Sequence, residues 1–279
     1  FTLHMPSYLP ILQYADNRNF REQMYRAYAT RASELDHQAG LDKDNMPLIN
    51  KILELRQEAA QMLGYANYAE VSLATKMAIA PQQVLDFLSK LAAKAKPYAE
   101  RDLKALQQFA AEKLNLPELE AWDLAYVSEK LREERYPFSD QKVKQYFPED
   151  KVLAGMFMLV EKLYGIHIVP AIAARNVQCW HPDVKFFDIN DAKGQLIGQF
   201  YLDLYARPTK RGGAWMDDAI TRRRIDNERA GDHDIQIPVA YLTCNFSAPV
   251  TINNQHRPAL FTHNEVIVLF HEFGHGLHH

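Results

Sequence analysis

Near the C-terminus, two histidines stand four positions apart, and a glutamate directly follows the first of them. They are His271, Glu272 and His275, in the pattern His-Glu-x-x-His. On a helix, residues four apart share one face, so both imidazoles can reach one metal ion. The glutamate then lies beside the metal, where it can take a proton from a water molecule. The pattern predicts a zinc site with a general base, although a catalytic zinc needs a third protein ligand.

The residues before this motif predict the helix that it requires. Thr262 and Glu265 fit the S/T-x-x-E capping box, which marks a helix start. Gly274 lowers helix propensity, so it predicts close packing or the close approach of a substrate at that position. The apolar stripe of helical period consists of Val266, Leu269, Phe270 and Phe273.

Other interpretations of these histidines are weaker. An affinity tag is usually an unbroken histidine run, whereas Glu, Phe, Gly and Leu interrupt this one. Satisfied core histidines remain an alternative for His271 and His275. His278 lies near the face of His271 but about 10 Å further along the axis, and His279 points to another side. We therefore expect His278 and His279 to flank the site rather than to complete it.

Length and composition narrow the class of protein. The chain has 279 residues, enough for one large domain or two, and its 47% hydrophobic and 24% charged residues are typical of a soluble globular protein. A net charge of −3 argues against nucleic-acid binding. No apolar run is long enough to span a bilayer, so no membrane partner is expected. Cys179 and Cys244 make no disulfide framework and suit a reducing cytosol, which predicts a cytoplasmic location.

Helical periodicity and cap signals dominate residues 1–165, which we predict to be a helical region. Pro97 should kink or interrupt the helix that starts at Pro81, because proline removes a backbone donor. The other predicted helices are one capped by Asn17, one that starts near Asn45 with Pro47 in its first turn and ends at Gly64, one over residues 123–135, and one over Glu149–Tyr164 that stops at Gly165.

Residues 166–279 are predicted to form a small β-sheet followed by the motif helix. The strand candidates are residues 184–189, residues 195–205 and Val239–Phe246, with a turn over residues 191–194. The charged residues 221–234 are expected to be a solvated loop. The fold class that follows is mainly α, or α+β, with both regions belonging to one larger domain.

Residues 207–215, with the sequence RPTKRGGAW, are a basic, glycine-rich segment that allows two interpretations. A phosphate-binding loop would need the P-loop spacing and a following helix, and the segment has neither. A turn that leaves a strand and borders a cleft is the alternative, and its glycines would let a substrate backbone approach closely. We favour the cleft.

The remaining candidate groups favour structural roles. The adjacent acidic pairs at 133–134 and 217–218 do not face one another on a helix or strand, so solvated surface is the better interpretation. Cys244 could be a thiol nucleophile with His256 or His263. A buried strand cysteine is the commoner case, and no activating group stands nearby in the sequence.

Several segments together resemble the thimet-oligopeptidase and neurolysin family of zinc metallopeptidases, and are closest to its bacterial members. The similar segments are residues 270–279 (FHEFGHGLHH), 200–207, 210–218, 240–246, 259–263, 6–10 and 72–77. The resemblance covers essentially the whole chain. It implies a helix-rich peptidase core with a small β-sheet beside a deep channel, in which short peptides are hydrolysed. A dipeptidyl carboxypeptidase of the same family is the alternative.

The resemblance also implies roles for individual residues. His271 and His275 are the expected zinc ligands, with one zinc per complete site, and Glu272 is the expected general base. The third ligand of the family, a glutamate on a downstream helix, has no counterpart here. The chain is therefore expected to be a fragment that is inactive alone, or a non-catalytic peptide-binding piece, with the remaining part of the same polypeptide as a partner.

Short peptides are the expected substrates, and two segments are expected to bind their backbone. Residues 212–215 and residues 243–246 would pair with an extended peptide, as when a strand adds to a sheet edge. The candidate substrate-binding residues are Gly212, Gly213, Ala214 and Asn245.

Overall fold

The computed structural model describes residues 1–35, 43–136, 139–171, 177–225, 235–252 and 255–279. These residues form two compact units. One consists of Phe1 and Tyr8–Arg135, and the other of Thr2–Ser7 and Tyr136–His279. None of the described helices is both long and apolar enough to cross a membrane.

Helices make up almost all regular structure before residue 136, as the periodicity predicts. Asn17 caps the second of them by accepting a hydrogen bond from the backbone N–H of Phe20. The helices are α1 (Met5–Tyr14), α2 (Arg18–Ala29), α3 (Met46–Met62), α4 (Tyr68–Leu73), α5 (Pro81–Lys113) and α6 (Leu124–Arg135).

Pro97 does not interrupt α5, which runs unbroken through 33 residues. The residues on both sides are mostly alanine, lysine, glutamate and leucine, which are strong helix formers. Their propensity sustains the helix across the single backbone hydrogen bond that the proline cannot donate.

The second unit is built around a mixed, five-stranded sheet. Its strands are β1 (His167–Pro170), β2 (Lys185–Asn190), β3 (Leu196–Tyr205), β4 (Trp215–Ile220) and β7 (Val239–Phe246), in the order β1-β2-β3-β7-β4. The pair β3–β7 is parallel and the other three pairs are antiparallel. The sheet therefore has β4 at one edge, and β7 lies inside it.

The helices of this unit are α7 (Asp140–Val143), α8 (Glu149–Tyr164) and α9 (His263–His278), with a 3-10 turn over Lys144–Tyr146. Gly165 ends α8 in the left-handed conformation, with φ of 66°. This confirms the predicted stop. At the other end of α8, the buried carboxylate of Glu149 accepts hydrogen bonds from Lys185 and Tyr205, which ties the helix to the sheet.

One face of the sheet packs against α8 and α9. Four phenylalanines meet there: the rings of Phe157 and Phe187 lie 5.2 Å apart, and those of Phe200 and Phe273 lie 5.5 Å apart edge to face. Because α8 shares this core, the compact unit begins at residue 136. The change in sequence character at residue 166 coincides with the first strand, β1. The division of one larger domain into residues 1–165 and 166–279 stays a prediction.

The charged residues after β4 are not wholly a loop. Arg223–Arg224 (β5) pairs with Ile235–Gln236 (β6) in a two-stranded ribbon, while residues 226–234 lie outside the described part of the chain. A second ribbon joins Val250–Ile252 (β8) to Gln255–Arg257 (β9).

Candidate active site

A capping box fixes the start of α9, the helix that carries the motif. The Thr262 hydroxyl accepts from the backbone N–H of Glu265 at 3.1 Å, and the Glu265 carboxylate accepts from the backbone N–H of Thr262 at 2.7 Å. Burial raises the pKa of Glu265, although the hydrogen bonds from Thr262 act against that shift. Because the start of the helix is fixed, the directions in which its side chains point two turns later are fixed as well.

Packing against β7 sets the rotation of α9. Leu269 and Phe273 are buried in the core, which turns His271 and His275 outwards on the other side of the helix. A Cβ at Gly276 would lie 2.9 Å from Cδ2 of Leu242, whereas a Cβ at Gly274 would meet nothing within 4 Å. The close packing that the sequence suggested for Gly274 is therefore found at Gly276.

The two imidazoles converge. Nε2 of His271 and Nε2 of His275 are 3.0 Å apart, and the rings meet nearly perpendicular, with centroids 4.6 Å apart. Two nitrogens bound to a tetrahedral zinc at about 2.0–2.1 Å lie roughly 3.3 Å from one another. A shift of a few tenths of an ångström therefore brings this pair to the spacing that zinc requires, so the donor set fits the ion.

Two further histidines lie beside this pair. His278 and His279 line the same cleft, and Nε2 of His279 is 3.0 Å from the carbonyl oxygen of Ile220. Among the described residues, no group of three His, Cys, Asp or Glu side chains is arranged to hold a metal ion. The flanking role of His278 and His279 stays a prediction.

Glu272 lies between the two histidines in sequence and lines the same cleft. Only 7% of the surface of Glu272 is exposed. The cleft has a volume of about 570 Å³ and lies between α9 and the sheet edge. The edge contributes Ala214, Trp215 and Met216. The arrangement therefore sets two metal-ligand candidates and a carboxylate opposite an edge strand.

Two of the three basic residues of the 207–213 segment, Arg207 and Lys210, are paired with one buried carboxylate. Arg207 donates two hydrogen bonds of 2.7 Å to Asp203, and the Lys210 ammonium donates one of 2.8 Å. Burial alone would raise the pKa of Asp203, but these bonds and one from Trp180 outweigh it and lower that pKa to about 2. Burial lowers the pKa of Lys210. Arg207 and Lys210 are thus engaged with Asp203, whereas the exposed Arg211 lies over the ring of Trp215. This arrangement favours a structural turn over a phosphate loop.

The four candidate substrate residues are not equivalent in the structure. Ala214 lines the cleft, whereas Gly212 and Gly213 are exposed and lie outside its lining. The Asn245 amide nitrogen donates to the carbonyl oxygens of Arg211 at 2.8 Å and Gly213 at 2.7 Å. Asn245 therefore holds the loop rather than lining the cleft.

Strand pairing limits the expected peptide contact along residues 243–246 at Thr243. On β7, Thr243 pairs with Asp203 of β3 on one side and with Trp215 of β4 on the other. Thr243 therefore has no free side to which a further strand could add, whereas residues 244–246 extend beyond the pairing with β4. At the cleft, the outer side of β4 offers a free edge.

Cys244 is a buried structural thiol. It is fully buried, and burial together with the nearby Glu272 carboxylate raises its pKa to about 12. A thiol of that pKa is not a thiolate near neutral pH, so it is not a nucleophile. The side chain of His256 lies outside the described residues, and His263 is exposed at the start of α9.

The adjacent acidic pairs lie on the surface, as predicted. Asp217 and Asp218 are exposed on β4. Glu133 and Glu134 pair with different partners, Lys130 at 3.5 Å and Lys113 at 3.4 Å.

Sequence reasoning missed β4 and the role of Asp203. The β4 sequence, WMDDAI, alternates poorly and has two adjacent aspartates, so it carries no clear strand signal. Asp203 did have a signal: it stands within an apolar strand, where a carboxylate needs a cation, and Arg207 and Lys210 follow closely.

Comparison with known proteins gives similarity over nearly all of the chain. The model of peptidase family M3 matches residues 11–279. Oligopeptidase A of Salmonella typhimurium and that of Escherichia coli are each 53% identical over 278 residues, covering 100% of this chain and 39% of the relative. A dipeptidyl carboxypeptidase of Salmonella typhimurium is 32% identical over 270 residues, 96% of this chain and 37% of that protein. The chain thus spans about two fifths of the length of these relatives.

Proposed function

Because the chain belongs to peptidase family M3, we propose that it forms part of the active site of a zinc-dependent oligopeptidase. The observation that carries the proposal is the convergence of His271 and His275, with Nε2 atoms 3.0 Å apart, at a cleft that Glu272 also lines. The relatives named oligopeptidase A support the same activity.

The side chains have distinct roles in this proposal. His271 and His275 hold the ion through their Nε2 atoms, in one site per complete enzyme. A bound zinc supplies Lewis acidity, which makes a water molecule acidic near neutral pH and polarises a carbonyl oxygen. Glu272 accepts the proton of the attacking water on a carboxylate oxygen and delivers it to the leaving amine nitrogen. A third ligand from a further part of the polypeptide belongs to the proposal.

The substrate is proposed to bind along β4. This strand is hydrogen-bonded to β7 on one side, and its first residues line the cleft opposite the histidines. A peptide that pairs with the free side is recognised by its backbone, which suits hydrolysis of short peptides of varied sequence. We propose no nucleic-acid or membrane partner.

A cytoplasmic location is part of the proposal. Cys179 and Cys244 are both free thiols, which suits a reducing compartment.

The experiment that tests the catalytic assignment combines zinc titration with cleavage of an internally quenched peptide. We expect His271→Gln and His275→Gln to weaken zinc binding, because each removes one nitrogen ligand. Glu272→Gln should keep zinc but lower hydrolysis by roughly 10²–10⁴-fold, the usual contribution of a general base. Glu58→Gln, which changes an exposed glutamate of α3, is the matched control.

Three results would separate the alternatives. Full hydrolysis by Glu272→Gln would contradict its role as the base. Peptide binding without hydrolysis in the zinc-loaded wild type, tested with the part of the polypeptide that supplies the third ligand, would favour a non-catalytic peptide-binding chain. Cleavage that requires a free peptide C-terminus would favour the dipeptidyl carboxypeptidase activity named for one relative, so peptides with amidated C-termini should be included.

A further inference from the structure

The 207–213 segment, which joins β3 to the cleft-lining residues, is held at two separate points. The first lies at Asp203, near the end of β3, and the second at Asn245, near the end of β7. Both anchors come from strands inside the sheet, and the segment ends directly before Ala214, the first residue of the cleft wall.

The Asp203 anchor fixes the first half of the segment. Besides its bond to the carboxylate, the Lys210 ammonium donates to the backbone carbonyl oxygens of Asp203 at 3.1 Å and Tyr205 at 2.8 Å. Its three N–H groups therefore have three acceptors, and the side chain is only 6% exposed. With Arg207 on the same carboxylate, the chain is fixed as far as Lys210.

The Asn245 anchor fixes the second half. One amide nitrogen donates to two carbonyl oxygens of the segment, those of Arg211 and Gly213. The –NH₂ group of an asparagine can satisfy two acceptors in this way, whereas the carboxylate of an aspartate has no hydrogen to donate. Both amide hydrogens of Asn245 are used in these two bonds, and Asn245 does not line the cleft. Any effect of Asn245 on a bound ligand is therefore exerted through the 207–213 segment.

The backbone between the anchors requires this support. Thr209 has φ of 69° and Gly213 has φ of 101°. A β-branched residue rarely adopts a positive φ, and such conformations persist where surrounding contacts impose them. The conformation at Gly213 also directs the chain into β4.

The Asn245 anchor is separate from the metal ligands. Along β7, Leu242 and Cys244 are buried in the core shared with α9, so Asn245 points to the opposite face, since side chains alternate along a strand. A change at Asn245 should therefore alter the loop and the start of β4 while leaving the two histidines in place.

We propose that Asn245 is a positioning residue for peptide binding: by holding the carbonyls of Arg211 and Gly213, it places the first residues of β4 where a peptide pairs with them. The inference rests on the proposed peptidase function, which it deepens by assigning the residue that sets the binding edge. It replaces the expectation that Asn245 contacts the substrate itself.

The test compares Asn245→Ala and Asn245→Asp with wild type, using acetyl-hexaalanine-amide as the probe. Metal-free protein is titrated with the peptide and followed by amide NMR, so that hydrolysis does not interfere. We expect the wild-type amides of Trp215 and Met216 to shift saturably. Asn245→Ala should raise the peptide Kd about three- to thirtyfold, as loss of two hydrogen bonds implies. Asn245→Asp should raise it further, because its carboxylate faces two carbonyl oxygens.

Two further measurements distinguish positioning from a general loss of structure. The zinc Kd of both variants, measured by calorimetry, should stay within about twofold of wild type, because the histidines lie across the sheet. Hydrogen exchange should accelerate at Trp215 and Met216 but not in β3. Asn190→Ala, which removes a half-buried asparagine at the end of β2, is the matched control and should leave peptide binding unchanged.

Each outcome decides the proposal. An unchanged peptide Kd in both Asn245 variants would overturn it, and so would a parallel loss of zinc and peptide binding. A wild-type protein whose Trp215 and Met216 amides do not respond to the peptide would instead reject binding along β4, and thus the proposed function on which the inference depends.

Discussion

Buried polar side chains in this protein differ sharply in what they can do. Asp203 is ionised because two cations and an indole N–H surround it, so Arg207 and Lys210 are engaged although their sequence suggests a free basic loop. Cys244 lies close to the motif but is kept protonated by burial and by the carboxylate of Glu272. Residue type therefore indicates possible chemistry, and the neighbours decide whether it is available.

The two cysteines should differ in reactivity by the same reasoning. With its pKa raised to about 12 and no exposed surface, Cys244 should resist iodoacetamide at pH 7.5, whereas the half-buried Cys179 should be alkylated. Peptide mass spectrometry after timed labelling measures both rates. Unfolding in guanidinium should make the rates equal. Native labelling of Cys244 as fast as that of Cys179 would contradict the buried-thiol assignment.

The motif helix depends on two local features for its position. The capping box sets where α9 begins, and Gly276 lets its last turn approach Leu242 on β7. On the other side of the cleft, β4 is held by β7 and by the anchored segment before it. The two walls of the cleft therefore share β7 as their common support.

Two glycine substitutions two residues apart should have different effects. Gly276→Ala places a Cβ 2.9 Å from Cδ2 of Leu242, so the end of this side chain, which is 1% exposed, must shift within the core. Gly274→Ala meets nothing within 4 Å and is the matched control. Both gain helix propensity, so Gly276→Ala should be less stable than Gly274→Ala by about 1–3 kcal/mol, the usual cost of overpacking. Urea unfolding measures the difference, and equal free energies of unfolding would show that α9 does not pack tightly there.

For the molecule as a whole, stability depends on charges buried in both compact units. Asp123 in the first unit and Asp203 in the second each have a lowered pKa although burial opposes the shift, because arginine or lysine donors surround them. A carboxylate whose pKa is lower in the folded state contributes stability above its unfolded pKa, and this contribution is lost as the pH falls. Acid should therefore destabilise the protein.

Asp203→Asn isolates one part of this acid sensitivity. The pKa of Asp203 changes from 3.8 to about 2 on folding, so its ionisation contributes about 2 kcal/mol above pH 4, and that contribution falls away between about pH 4 and pH 2. The variant should be less stable at pH 7 and lose less stability on acidification. Denaturant unfolding at several pH values measures how the free energy of unfolding depends on pH in the wild type and in the variant. Asp86→Asn, on an exposed face, is the control. The same pH dependence of the free energy of unfolding in wild type and in Asp203→Asn would refute the lowered pKa of Asp203.

Most helices and three strands of the sheet, β2, β3 and β7, could be predicted because their signals are local. Caps at Asn17 and Gly165, and the apolar period of Glu149–Tyr164, depend only on neighbouring residues. The interruption expected at Pro97 did not occur because helix propensity over many residues outweighed one lost hydrogen bond. Strand β4 was missed because pairing with β7, rather than its own sequence pattern, makes it a strand.

The sequence by itself determined the chemistry of the motif. Spacing of four along a capped helix places His271 and His275 together, since helix geometry is local, and family similarity extends this to a proposed zinc peptidase. Only the tertiary structure decided what faces the motif. The β4 edge, the neutralised lysine and arginine, and the anchoring role of Asn245 all arise from contacts between strands that are distant in sequence, and local residue patterns do not encode such pairings.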